Sequence, residues 1–522
     1  MQGNMAKALK NRASKQEYSS PKQLILPGFE TPFAHHLNPA NRWVVLAGKI
    51  PWDSLVGVYQ SQMRNSQTGA DGINPRVAIG ALIIKHMCAL DDRETVLQMQ
   101  ENMYMQYFIG YSSFSNEPAF DPSLFVDFRK RLGADQINEI SERILGLSKE
   151  DKAPVGEACV QPGGCDNEKQ DGEQGKSDNS ADPEPSGDTG RQTTNITEPE
   201  QCANKGQIIV DATACPQDIR YPTDLDLLND AREKSEELID FLFCPDKHLV
   251  KPRTYREIAR TVYLKTAQKR HKTKKEIRTA IKRQLNYLKR NIKSIHKLLS
   301  SYEFLPFKRH HREYKYLLVI QTFYEQQAKM FADKTHQIEH RIVSIHQPHV
   351  RPIVRGKTNA KVEFGAKIEV SIMNGFSFLE ELSWEAYNES TRLMNTIEKY
   401  KKRFGVYPTE VLADKIYCTR DNKKKLKLLG ITLRGKPLGR SKAVEAHVRP
   451  GERNPIEGKF GQAKAGYGMN RIKARLQQTS ESWIASIVMV LNLVKLAGQI
   501  PYYLMREILI KFYIINMMPS RT

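Results

Sequence analysis

Residues 151–205 decide how the rest of the chain can be organised. They hold twelve acidic and five basic residues among Gly, Pro, Ser, Asn and Gln, with almost no large apolar side chain. Such a stretch cannot bury enough surface to offset the entropy of ordering it, so a disordered acidic linker is expected there. It separates a helical N-terminal domain, 31–150, from a larger C-terminal unit, 206–500. Residues 1–30 read as a flexible N-terminus and 501–522 as a helical tail. The chain is 522 residues long, and 80 Lys and Arg against 59 Asp and Glu leave it at +21. That length is ample for a buried core. The basic excess excludes an acidic solvating protein and favours a polyanionic partner.

The seven cysteines are scattered, and no pair has the C-x-x-C spacing of a zinc site or redox pair. They suit a reducing, intracellular setting, and the polar N-terminus lacks the apolar core of a signal peptide. The apolar run 483–497 is 15 residues long and contains Asn492 and Lys495. Spanning a bilayer takes ~20 apolar residues, so a core helix is expected and no membrane segment.

North of the linker the pattern is helical. Asn74-Pro75 reads as a helix start, followed by Val77, Ile79, Leu82, Ile83 and Met87. A second helix is expected from Asp92 to Phe108. A third follows Asp121-Pro122, with Leu124, Phe125, Phe128 and Leu132 on one face and Arg129, Lys130 and Arg131 near its end. A helical domain of this kind suits DNA binding or a plain scaffold, and the pattern leaves both open.

South of it, Gln207 to Asp211 reads as a short buried strand and Glu410 to Asp414 as another, each closed by an aspartate. Strand character also marks Val362 to Met373 and Phe376 to Trp384, with a helix over Ser390 to Phe404. Strands interleaved with helices predict an α/β core. Between the first two groups lies a helical insert, 224–350. Its residues Ile277, Ile281, Leu285, Leu288, Ile292, Ile295 and Leu299 are spaced 4, 4, 3, 4, 3, 4, a coiled-coil-like seam. Residues 247–316 carry 22 Lys and Arg against 4 Glu. A stripe so one-sided predicts backbone phosphate contacts, with Lys282, Arg283, Lys289 and Arg290 as candidates, against the alternative of a merely solvated face.

Aspartates at strand ends of an α/β sheet lie where such folds place active sites, although an aspartate there also caps turns and helices. Glu457 follows Asn454-Pro455-Ile456, which reads as helix N-cap, first-turn proline and near capping box, so a purely structural role is open for it. Lys464 returns to nearly the same helix face, and Arg453 stands just before the helix. His336, His340, His346 and His349 make a cluster with an i, i+4 pair that could take zinc, but no Cys or acidic residue completes a familiar ligand spacing.

The series Arg453-x3-Glu457-x6-Lys464 resembles the glutamate motif of bacterial insertion-sequence DDE transposases. Val210-Asp211-Ala212-Thr213 resembles the first-aspartate motif of that family, and Leu412-Ala413-Asp414-Lys415-Ile416-Tyr417 the second. Asn102 to Gly110 and Phe120 to Gly133 are similar to the InsH-type N-terminal domain. The family often has Tyr at the position of Pro450 and Gly at that of Ile416. The resemblance implies a ribonuclease-H-like mixed sheet flanked by helices, with Asp211, Asp414 and Glu457 as catalytic residues and ligands of two Mg2+ ions, for which Mn2+ can substitute. It implies phosphate contacts from Arg453 and Lys464, double-stranded DNA (transposon ends and target) as partner, a homodimer in the synaptic complex, and a cytoplasmic, nucleoid-associated protein. The expected activity is metal-dependent nicking and strand transfer at terminal inverted repeats. The alternative is a catalytically inactive or domesticated DNA-binding regulator.

Overall fold

The structure, a computed structural model, describes residues 37–63, 72–147, 204–307, 311–354, 362–436 and 451–498. The flexible N-terminus expected at 1–30, nearly all of the expected linker 151–205, Pro450 and the tail 501–522 lie outside the described residues. The helices of the N-terminal third are α1 (Arg42–Lys49), α2 (Trp52–Ser61), α3 (Pro75–Met87), α4 (Asp92–Glu101), α5 (Met103–Phe108), α6 (Phe125–Arg131) and α7 (Ala134–Ile144). Asn74 caps α3 with its side chain and Pro75 occupies the first turn, as the sequence predicts. The single helix expected over Asp92 to Phe108 is instead two. Asn102 leaves the helical region and its side-chain oxygen accepts from the backbone N–H groups of Tyr104 and Met105, restarting the helix as α5. A side chain able to hydrogen-bond its own backbone outcompetes helix continuation there.

The basic end of α6 turns inward. Both guanidinium Nη atoms of buried Arg129 donate to Asp92, at 2.9 and 2.8 Å, and buried Lys85 reaches the same carboxylate at 2.9 Å. Arg131 donates to the Tyr59 hydroxyl at 2.8 Å.

The C-terminal part begins with β1 (Gln207–Pro216) and the helical insert α8 (Asp224–Leu242), α9 (Arg256–Ala267), α10 (Lys274–Leu299) and α11 (Arg312–Ala332). It continues with β2 (Arg351–Val354), β3 (Val362–Met373), β4 (Phe376–Ser383), α12 (Leu393–Phe404), β5 (Glu410–Ala413), α13 (Arg420–Leu428), β6 (Thr432–Arg434), α14 (Asn454–Gly466) and α15 (Gln477–Gly498). The seam of α10 packs intramolecularly. Leu285, Leu288 and Ile295 join Leu227, Leu228 and Ile239 of α8 and Ile320 and Phe323 of α11 in one cluster.

The strands form one mixed sheet in the order β2-β3-β1-β5-β6, with β4 also on β3. β1 is antiparallel to β3 and parallel to β5, and β5 is parallel to β6. The α/β class is therefore as expected. Alternation along the strands divides the core. Ile208, Val210, Val411 and Ala413 face α12 and α13 through Leu393, Ile397 and Leu426. Ile209, Ile372 and Leu412 face α14, while Cys215, Ala366, Ile368 and Val370 face a larger cluster built on α15.

α15 is long and apolar enough to cross a membrane by length and composition, yet most of it is buried between the sheet and the N-terminal helices. Residues from α1 to α7, the sheet and α15 share that one cluster. Buried Asn492 of α15 accepts from Ser377 N at 2.7 Å and donates to Ser377 O at 2.8 Å and Ser141 Oγ at 3.2 Å, fastening α7 to β4. Arg403 adds a second tie, at 2.5 Å to Glu142 of α7 and 2.6 Å to buried Glu380 of β4. On the α12 face, fully buried Glu369 accepts from Thr396 Oγ1 at 2.5 Å and from the Tyr417 hydroxyl at 3.1 Å. Burial pushes its carboxyl up to about 7, against the pull of those two donors.

Two outcomes are expected. Cleavage at a protease site engineered within 151–205 should leave the fragments co-eluting on gel filtration, because they share the core around α15. Separation into two species would refute the shared core. A carboxyl whose folded pKa is raised favours the folded state below its ordinary value and loses that contribution as pH rises through about 7. Replacing Glu369 by Gln, uncharged throughout, should remove this slope. The unfolding free energy of Glu369→Gln relative to wild type should improve by about 3 kcal/mol between pH 4 and pH 8 in urea titrations.

Candidate active site

Strand register creates the site. β1 and β5 run parallel with Ile209 opposite Leu412 and Val210 opposite Ala413, so the next step brings Asp211 beside Asp414. Asp414 directly follows β5, as expected. Asp211 does not close its strand. β1 runs on to Pro216, still paired to β3, with Asp211 opposite Val370. What ends at Asp211 is the pairing with β5, because the shorter partner stops at Ala413. The effect resembles a strand end on one side only, and it opens room for the carboxylate.

Arg453 spans the two acids. Its Nη2 donates to Asp211 Oδ2 at 3.1 Å and its Nη1 to Asp414 Oδ1 at 3.2 Å. Asp211 Oδ1 also accepts from Ala212 N at 2.8 Å. Asp211 is largely buried and Asp414 is 55% exposed. Burial raises the Asp211 carboxyl to about 6, opposed by Arg453 and the Ala212 N–H and reinforced by the nearby negative charges of Glu389 and Asp414. Arg453 Nε is buried without a hydrogen-bond partner.

α14 lies over the same face. Its Ile456 is fully buried against Ile209, Ile372 and Leu412, with Phe460 beside it. Ile209 and Leu412 each precede a site aspartate by two residues, which puts α14 on the side of the sheet from which Asp211 projects. The chain after α14 is pinned to the end of β1, where Ile472 N donates to Pro216 O at 2.9 Å and Asp218 N to Ile472 O at 2.9 Å. Glu457 follows Ile456 in the first turn of α14, exposed to solvent, and its side chain makes no hydrogen bond or ion pair among the described residues.

The capping box considered for Glu457 is not formed. The N-cap is Arg453, in a helical backbone conformation and without a side-chain cap, which moves Asn454 inside the helix. Pro455 lacks an N–H, which removes one backbone donor from the first turn. Lys464 is half-buried in the last turn. Among the described residues no group of three or more His, Cys, Asp or Glu side chains stands close enough to hold a metal ion. The structure thus brings Asp211, Asp414 and Arg453 into contact and leaves Glu457 apart. Two hard carboxylates already share one cationic partner, a donor set whose chemistry fits Mg2+ or Mn2+.

Of the candidate DNA contacts on α10, Lys282, Arg283 and Lys289 are exposed. Arg290 differs. Its guanidinium stacks 4.1 Å from the Tyr255 ring centroid and 5.2 Å from that of Tyr287, with Nε and Nη2 buried and unpartnered. The four histidines separate. His336 meets Asp224 at 3.2 Å, His340 meets Glu385 at 3.0 Å, His346 meets the Tyr316 hydroxyl at 2.8 Å, and His349 packs edge-on against Trp384. Sequence reasoning missed Glu369 and Tyr417, which back the sheet behind the site. The signal was a lone acid within the otherwise apolar run Ile368 to Val370.

Two family models match parts of the chain. The family described as Transposase DDE domain matches residues 411–494, which include Asp414, Arg453, Glu457 and Lys464. The family described as Transposase domain (DUF772) matches residues 32–131. The chain is 32% identical over 108 residues to an uncharacterised protein, ORF8 in the nfe locus of Rhizobium meliloti, covering 20% of this chain and 49% of that one. It therefore spans about half the length of that curated relative. No solved structure matches. Family models of transposase domains thus match the chain on both sides of residues 151–205, and it is to transposases that those two stretches are similar.

Proposed function

We propose that this protein is a DDE transposase that binds the terminal inverted repeats of its insertion sequence, cuts the DNA and joins it to a target. The observation that carries the reading is the parallel pairing of β1 with β5. It sets Asp211 beside Asp414, although the two lie far apart in the chain, with a helix bearing Glu457 packed over the same face. Strand order and direction support a ribonuclease-H-like core, since a long antiparallel unit of β3 and β4 precedes β1, β5 and β6 aligned in parallel. Two divalent ions, Mg2+ or Mn2+, would supply activation of the attacking oxygen and stabilisation of the leaving oxygen in an in-line phosphoryl displacement.

The chain's own residues do the rest. Asp211 and Asp414 provide facing hard-oxygen donors, and Glu457 completes the set once its exposed side chain swings over the sheet. Arg453 and Lys464 hold phosphate oxygens, a task to which the guanidinium fork is well matched. Lys282, Arg283 and Lys289 lie along the exposed side of α10 and grip the backbone of end DNA. The whole acts in the cytoplasm on nucleoid DNA, as a homodimer that pairs two ends.

Asp211→Ala and Asp414→Ala should each abolish Mg2+-dependent nicking of a substrate carrying the element's ends, while duplex binding in a mobility-shift assay stays within a few-fold of wild type. Glu457→Gln should hold the melting temperature and lose cleavage by orders of magnitude, because a neutral amide replaces a metal-binding carboxylate. Normal nicking in any of these variants would remove that residue from the metal site, whereas wild-type protein that binds the ends but shows no Mg2+-dependent nicking would favour a DNA-binding regulator without catalysis.

Charge reversal at Lys282, Arg283 and Lys289 should weaken end binding and flatten its salt dependence by up to ~0.9 per lost phosphate contact. An unchanged slope in a salt titration would mean that this face is only solvated.

A further inference from the structure

Arg453 is in an uncommon position for a residue expected to hold phosphate. Rather than pointing at solvent, its two terminal nitrogens are divided between the two aspartates, one to each, at 3.1 and 3.2 Å. A guanidinium usually binds one carboxylate with two parallel N–H bonds. Here the fork bridges acids from different strands, so both carboxylates turn toward a single cationic position. The fit is incomplete, because Nε is buried and makes no hydrogen bond. The contact to Asp414 is at the open edge of the site, where that side chain is 55% exposed, whereas Asp211 is only 20% exposed.

We infer that Arg453 is a resident counter-cation of the Asp211–Asp414 pair, which yields its place to a divalent ion and is thereby released to hold a DNA phosphate. The inference rests on the metal-site reading above and adds an order of events to it. The carboxylate oxygens that face Arg453 are those a metal ion would take, so arginine and metal compete. With both terminal nitrogens engaged by the aspartates and Nε buried, the guanidinium is committed to the acid pair, so arginine held there is not presented to a DNA phosphate. Metal and DNA must then favour each other. Linkage requires that the factor by which metal tightens DNA binding equal the factor by which DNA tightens metal binding.

The test uses the full chain and two titrations. Calorimetric titration with Mn2+ alone, without DNA, should show Arg453→Ala binding the ion about tenfold more tightly than wild type, since the competitor is gone. Arg453→Lys, a point charge unable to span both acids, should fall between them, and it keeps the test open if the alanine variant does not fold. Fluorescence anisotropy of a labelled duplex, with Ca2+ as the occupying ion, should show tighter DNA binding by wild type on adding the ion and no such gain in Arg453→Ala. Equal or weaker Mn2+ affinity in both Arg453 variants would overturn the inference. So would an ion-induced gain in DNA affinity that survives in Arg453→Ala. A control separates the two levels: Asp211→Asn binding Mn2+ as wild type does would overturn the metal-site reading itself.

Discussion

The constraint on which the structure depends is the parallel pairing of Gln207 to Val210 with Glu410 to Ala413. Parallel neighbours cannot be joined by a tight turn, so the chain between them must leave the sheet edge and return by a crossover. In this protein the excursion contains the four-helix insert, the antiparallel strands β2 to β4 and the helix α12. The insert adds its own core around Leu285, Leu288 and Phe323, so it extends the molecule without disturbing the register. Because the first strand outlasts its partner, one acid projects where pairing stops and the other leaves the end of the partner strand. Geometry of the backbone ladder, more than any local contact, sets the acids together.

The second determinant is α15, which joins parts of the chain that composition separates. The helix is apolar nearly all round, and such a helix is stable only when covered on most sides. The sheet covers one side and α1, α3, α6 and α7 cover others. Its few polar residues make this arrangement specific. Asn492 satisfies both backbone groups of Ser377 and reaches Ser141, and Trp483 lies 4.7 Å below the buried Lys85 ammonium that pairs with Asp92. Removing one member of such a buried charged group leaves the other uncompensated, which costs far more than a surface pair. The N-terminal helices are thereby coupled to the sheet that carries the site.

Much of this was legible in the sequence. Short β-branched runs gave strands at Gln207 and Glu410, Asn74-Pro75 gave a helix start, and the spacing of Arg453, Glu457 and Lys464 pointed to the helix that lies over the sheet. What was not legible depended on partners distant in sequence. Asp211 read as a strand end because the apolar run stops there, yet β3 continues to pair with the chain as far as Pro216. Arg290 reads from its basic stripe as a phosphate contact, but its guanidinium is taken up by the ring of Tyr255, and nothing local to Arg129 predicts its pairing with Asp92. The seam of α10 has the period of a coiled coil, and period alone cannot tell a second chain from α8 and α11 of the same one. Asn102 divided a helix because a side-chain cap competes with one backbone turn on nearly equal terms.

The electrostatics of the site follow from a mismatch in charge. Two adjacent carboxylates carry two negative charges, and the single guanidinium between them compensates one. The remaining charge is held partly inside the protein, and the upward displacement of Asp211 to about 6 records the cost of keeping it ionised there. Glu389 adds to that cost from nearby. On the opposite face Glu369 is still more deeply buried, and among the described residues its side chain has no cationic hydrogen-bond partner, only the hydroxyls of Thr396 and Tyr417. Because Tyr417 comes three residues after Asp414, this buried hydrogen bond also fixes the turn from which Asp414 projects. On the metal-site reading proposed above, a divalent ion would supply the charge that one arginine lacks, with Asp211 and Asp414 as its facing donors and Glu457 brought over from its exposed position. Under that reading, the charge that a single guanidinium leaves over is what would favour a divalent ion over a monovalent group in this place.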